Sequence, residues 1–95
     1  MRMFLEVKME VETANRAIKD GSLGKIVEGF MAKAKPEGVW FTALEGKRCM
    51  IAVFDLASTS HIPPLAEPFF VGLNATFEMT PAMDVADLQA GLAAL

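Results

Sequence analysis

Five side chains in this sequence have the means to hold or move charge in a confined site: Glu6, Glu78, Lys8, Arg48 and the single histidine, His61. The two glutamates sit in alternating runs. From Arg2 to Val11, Met3, Leu5, Val7, Met9 and Val11 fall on one face, and Phe4, Glu6, Lys8 and Glu10 on the other. From Leu73 to Thr80, Ala75, Phe77 and Met79 oppose Asn74, Thr76, Glu78 and Thr80. Period two marks a strand with one apolar face. If the strands are neighbours, Glu6 and Glu78 share a face. Two carboxylates held side by side resist simultaneous ionisation, which is one way to make an acid or base. Lys8 and Arg48 oppose that chemistry, because a plain ion pair at a partly wet surface uses the same residues.

His61 follows the third strand and precedes the second long helix. We place it at the sheet end where the first strand exits, near Glu10, with Asp55 close in sequence. A histidine beside a carboxylate at a pocket mouth can serve as general base; a turn or cap is the plainer role. Trp40 can stack on a ligand or fill an interface. The seven methionines suit a tolerant apolar pocket or a gap-filled core. Cys49 is the one cysteine and lies mid-strand, so it forms no internal disulfide and reads as inert and buried. No Cys/His spacing fits a metal, no Gly-rich loop has phosphate-binding form, and no nucleophile elbow is present. No cofactor is expected.

The elements that must position these residues are readable. Glu12–Lys19 forms a short helix broken at Asp20-Gly21, with Ser22 as N-cap of the next. Leu23, Ile26, Val27, Phe30, Met31 and Ala34 then make an amphipathic stripe, ended at Lys35-Pro36. Val39–Glu45 and Lys47–Leu56 form a hairpin around Gly46. The second arm is apolar on both faces from Cys49 to Phe54, as in a central strand. Ile62-Pro63-Pro64 opens a helix that Pro68 should kink or end and Gly72 should close. Asp84 with Asp87 three residues on caps a last helix carrying Val85, Leu88, Leu92 and Leu95. The order is that of a split βαβ unit: a single α+β domain over residues 1–95, ferredoxin-like βαββαβ with an extra C-terminal helix. Both crossover helices cover one sheet face and leave the other bare.

The chain is 53% hydrophobic and 22% charged over 95 residues. A domain this small cannot bury so much apolar surface within itself, so a subunit interface or a ligand pocket is expected. The net charge of -3 gives no basic footprint, so no nucleic-acid partner is expected. The longest purely apolar run, Met50–Phe54, is too short to span a bilayer, and there is no secretory-type leader pattern. A cytoplasmic, soluble protein without a membrane partner is the expectation.

The chain resembles the dimeric α+β-barrel superfamily, a group that includes antibiotic-biosynthesis monooxygenases, muconolactone isomerases and haem-degrading monooxygenases. The cues are the topology together with Pro36-Glu37-Gly38-Val39, Ala66-Glu67-Pro68 and Thr80-Pro81-Ala82-Met83-Asp84. They point to an uncharacterised branch. The resemblance implies a homodimer in which two four-stranded sheets pack through their bare faces. Haem degradation is disfavoured, because the first strand lacks the asparagine that those members use.

On this frame the candidate binding set is Phe4, Lys8, Trp40, Arg48, Met50, Phe54 and Thr76, with Glu6, Glu78 and His61 as candidate catalytic groups. Arg48, Met50, Ala52 and Phe54 are taken as the face that the third strand turns to the partner. The sequence leaves three functions open: a homodimer binding a small apolar or aromatic molecule, a cofactor-independent monooxygenase or isomerase, or a structural dimer without a pocket.

Overall fold

The computed structural model describes all residues, Met1–Leu95. The chain runs β1 (Arg2–Lys8), α1 (Val11–Asp20), α2 (Ser22–Ala34), β2 (Gly38–Leu44), β3 (Lys47–Asp55), a 3-10 turn (Thr59–His61), α3 (Ile62–Leu73), β4 (Thr76–Pro81) and α4 (Val85–Ala93). The four strands form one antiparallel sheet in the order β2-β3-β1-β4. This α+β arrangement is consistent with a ferredoxin-like fold. No helix is long and apolar enough to cross a membrane.

Helices α1, α2 and α3 lie on one side of the sheet. Met3, Leu5, Val7, Met50, Ala52 and Phe54 from the strands meet Ala14, Ala17, Phe30, Leu65, Phe69 and Leu73 from the helices in one buried core. Phe30 is its hinge: its ring stands edge-on to Phe54 at 5.7 Å and to Phe69 at 5.8 Å. Edge-to-face contacts of this kind add to the stabilisation from burial alone.

The third strand corrects one expectation. Register pairs Met3 with Phe54, Leu5 with Ala52 and Val7 with Met50. Residues paired across an antiparallel ladder share a face. Met50, Ala52 and Phe54 therefore belong to the helix-covered core, fully buried, and not to the bare face. Arg48 has the same phase as Met50; its guanidinium lies 3.5 Å from the Val11 carbonyl at the sheet end. The bare face takes Cys49, Ile51 and Val53 from this strand instead. An unbroken apolar run has no polar side to show which residues turn inward, so alternation alone left its phase open.

Three local expectations also change. Gly21, at φ 82°, is both the C-cap of α1 and the N-cap of α2, so Ser22 is the first helical residue rather than the cap. Asp20 caps the junction by accepting the Ser22 N–H at 2.8 Å, and the Ser22 hydroxyl, followed by that backbone bond, holds its carboxyl below the usual range. Helix α3 runs through Pro68 to Leu73 and ends on Asn74, which adopts the left-handed conformation, so Gly72 is not its stop. Pro68 has no N–H for the Pro64 carbonyl one turn earlier. The Lys33 ammonium lies 3.5 Å from that carbonyl and offers it a partner in place of the lost bond.

Candidate functional site

The bare sheet face is built by alternation. Phe4, Glu6 and Lys8 project from β1; cross-strand partners Val53, Ile51 and Cys49 stand beside them on β3, and Thr80, Glu78 and Thr76 on β4. Trp40 and Thr42 extend the face on edge strand β2, opposite Ile51 and Cys49. Trp40 is 56% exposed. Its indole folds back over Gly38: a Cβ there would lie 2.5 Å from the ring. The result is an apolar half, Phe4, Val53, Ile51 and Trp40, next to a charged half.

Glu6 and Glu78 are paired in register on neighbouring strands, as the alternation of both segments predicts. Glu6 also accepts an ion pair from Lys8 at 3.2 Å, and Lys8 reaches Glu45 in the hairpin turn at 3.1 Å. Hydrogen bonds to Glu45 and then Glu6 hold the Lys8 ammonium above the ordinary lysine range. The charged half is thus one cation, Lys8, held between Glu6 and Glu45, with Glu78 beside Glu6 in register. It can bind or orient a cationic or hydrogen-bonding group. Beneath it Cys49 is buried, and burial, with Glu6 nearby, raises its thiol above the usual range. A thiol in that state is a poor nucleophile.

His61 is not part of this face. β3 runs antiparallel to β1, so its end pairs Asp55 with Arg2, at the start of β1. Glu10 lies past the other end, about 25 Å away along the strand. Glu10 instead caps α1 through the Thr13 N–H and hydroxyl, at 3.3 and 2.7 Å, and accepts a hydrogen bond from Asn74. The expected His61–Glu10 pairing fails because an antiparallel return brings the chain back to where β1 began. Asp55 does not orient His61 either: its carboxylate takes the N-terminal ammonium at 2.7 Å.

His61 lines a half-open cavity of about 260 Å³ with Lys33, Ala34, Asp55, Leu56, Pro64 and Leu65. A second, of about 220 Å³, continues from it along the α2–α3 seam, over Ile26, Phe30 and Phe69. The two share Lys33, Pro64 and Leu65. Sequence reasoning missed Lys33 here; the one signal for its reach to α3 is Pro68, which frees the Pro64 carbonyl.

The candidate residues therefore separate into four places, Arg48 lying by the Val11 carbonyl at the sheet end opposite His61. Phe4, Glu6, Lys8, Trp40, Thr76 and Glu78 share the bare face; Met50 and Phe54 lie in the core; His61 sits at a sheet end. No three His, Cys, Asp or Glu side chains converge in a metal-binding arrangement. No protein-family model matches the chain, and a search among curated proteins finds no match.

Proposed function

We propose that the chain works as a homodimer that closes its two bare sheet faces over a small apolar or aromatic molecule. The observation that carries this reading is the composition of that face. Phe4, Ile51, Val53 and Trp40 form a contiguous apolar half without a helix over it, beside the Glu6–Lys8–Glu78 group that can orient a polar end of the ligand. Apolar walls with a few convergent polar groups are the usual make-up of a small-molecule site.

Surface area points the same way. The chain exposes 6043 Å², where a compact monomer of this length exposes about 5,400 Å². Its radius of gyration is 14.9 Å, against about 12 Å for a compact domain of this length. The bare face and the uncovered helix α4 both contribute to that excess, and a second copy laid on them would cover it.

Trp40 is the only tryptophan, so its emission reports on this face alone. Titrating the protein with a small aromatic probe such as anilinonaphthalene sulfonate should shift and saturate that emission, and Phe4→Asp should abolish the effect. Saturable binding that leaves Trp40 untouched and survives Phe4→Asp would place the ligand elsewhere.

A catalytic version, a cofactor-independent oxygenase or isomerase, draws on the Glu6–Glu78 register. It requires one of the two carboxyls to hold its proton near neutral pH. Carboxyl-resolved NMR titration tests this directly, and two glutamates ionised together in the ordinary range would remove the acid–base role.

A further inference from the structure

Helix α4 is anomalous in this fold. Val85, Leu88 and Leu92 lie along one stripe, and they are 70%, 46% and 57% exposed. The helix has no buried residue. Nine residues make about 13 Å of helix, too short to hold itself in water without tertiary packing. Yet its start is built with care. Asp84 and Asp87 form a reciprocal capping box. Arg2 reaches Asp84 at 3.3 Å and Asp87 at 3.8 Å, and the Ala82 N–H bonds the Arg2 carbonyl at 3.0 Å. The base is fixed and the apolar length is uncovered.

Arg2 has the same strand phase as Phe4, Glu6 and Lys8, so its side chain leaves from the bare face. By gripping the first turn of α4, it sets that helix at the rim of this face. We infer that α4 is an arm whose Val85–Leu88–Leu92 stripe packs on a second copy of the chain. This deepens the dimer reading above and rests on it.

Area argues for a second copy as the occupant. Four strands about 4.8 Å apart and about seven residues long present only about 450 Å² in projection. A standard interface takes about 600–1,000 Å² of accessible surface from each partner. Side-chain relief raises the accessible area of the face above its projection, to about the low end of that range, and one apolar helix side from each subunit carries the contact well into it. Symmetry doubles this gain, since each subunit both gives and receives an arm. Charge does not oppose it: Val85, Leu88 and Leu92 carry none, and the two aspartates of residues 82–95 are confined to the start of the helix, beside Arg2, which also holds Glu37 at 3.1 Å.

The test uses the full chain carrying Leu88→Glu and Leu92→Glu together. Both positions are exposed within one chain, so the fold of the body should persist, checked by far-UV circular dichroism and by the dispersion of the core methyl signals. Sedimentation equilibrium should show the dimer dissociation constant raised by roughly 30-fold or more, the scale of losing central apolar anchors. Isotope-filtered NOEs in a mixture of labelled and unlabelled wild-type chains should connect the Leu88 and Leu92 methyls to the other subunit. A wild-type dimer whose affinity the double variant leaves unchanged, with filtered NOEs confined to Phe4 and Trp40, overturns the arm and leaves the dimer standing. A wild-type chain that stays monomeric at micromolar concentration overturns both.

Discussion

Glu10 accepts a hydrogen bond from the side chain of Asn74, so the residue that caps the start of α1 is tied to the residue that ends α3. The carboxylate also holds the Thr13 hydroxyl and N–H. These bonds favour its charged form and, the Thr13 hydroxyl foremost, depress its pKa. A carboxyl depressed in the folded state stabilises the fold above its unfolded value and loses that contribution as pH falls through the folded value. Thermal melts should therefore show a Glu10-dependent loss of stability starting near pH 4–5, around the unfolded glutamate value of about 4.3. Glu10→Gln should flatten this part of the profile. A profile identical in the two proteins would contradict the assignment.

Phe30→Ala should cost about 3–5 kcal/mol, from lost burial and the cavity left between Phe54 and Phe69. Lys25→Ala and Glu28→Ala, on the solvent side of the same helix, should each change stability by less than about 0.5 kcal/mol. Urea denaturation of the three variants checks this, and similar losses at all three positions would mean that the helix is rotated from its observed phase.

Phe54→Asp and Phe4→Asp should differ in kind. Phe54 is fully buried in the core, and a carboxylate there has no partner, so the chain should fail to fold. Phe4 is on the bare face and 37% exposed, so its aspartate should leave the monomer folded and weaken self-association. Circular dichroism combined with light scattering separates the outcomes; a folded Phe54→Asp monomer would return that residue to the interface.

Gly38→Val should displace the Trp40 indole, because the new side chain occupies the space where the ring lies. The emission maximum and the ring-current shifts of neighbouring protons should both change, while the core aromatic signals of Phe30 and Phe69 stay in place. An unaltered Trp40 spectrum would show that the ring does not rest on this glycine.

Cys49 should react with a thiol reagent such as dithionitrobenzoate only as the chain unfolds. It is buried and its pKa is raised, chiefly by desolvation. Labelling rates measured across a urea series should track the unfolded fraction, and fast labelling of native protein would contradict the burial.

Several features were legible in the residues alone. The Met3–Met9 alternation fixed which side of β1 carries Glu6, and the Ala75–Met79 alternation did the same for Glu78, because a polar residue at every second position declares the solvent face. The Leu23–Ala34 stripe set the phase of α2 and put Phe30 inward. Asp84 and Asp87 announced their capping box by spacing.

The tertiary structure decided what local pattern could not. From Cys49 to Phe54 both faces are apolar, so only the pairing of Leu5 with Ala52 shows that Met50 and Phe54 go to the helices and Ile51 and Val53 to the bare face. His61 has no periodic neighbours to place it; the antiparallel return of β3 carries it to the start of β1, far from Glu10. Pro68 forbids one hydrogen bond in α3, but only the fold shows that the helix continues through it, packed against α2 with Lys33 beside the freed carbonyl. Alternation and capping act over a few residues and can be read along the chain; register, strand return and compensation join residues distant in sequence and exist only once the chain has closed.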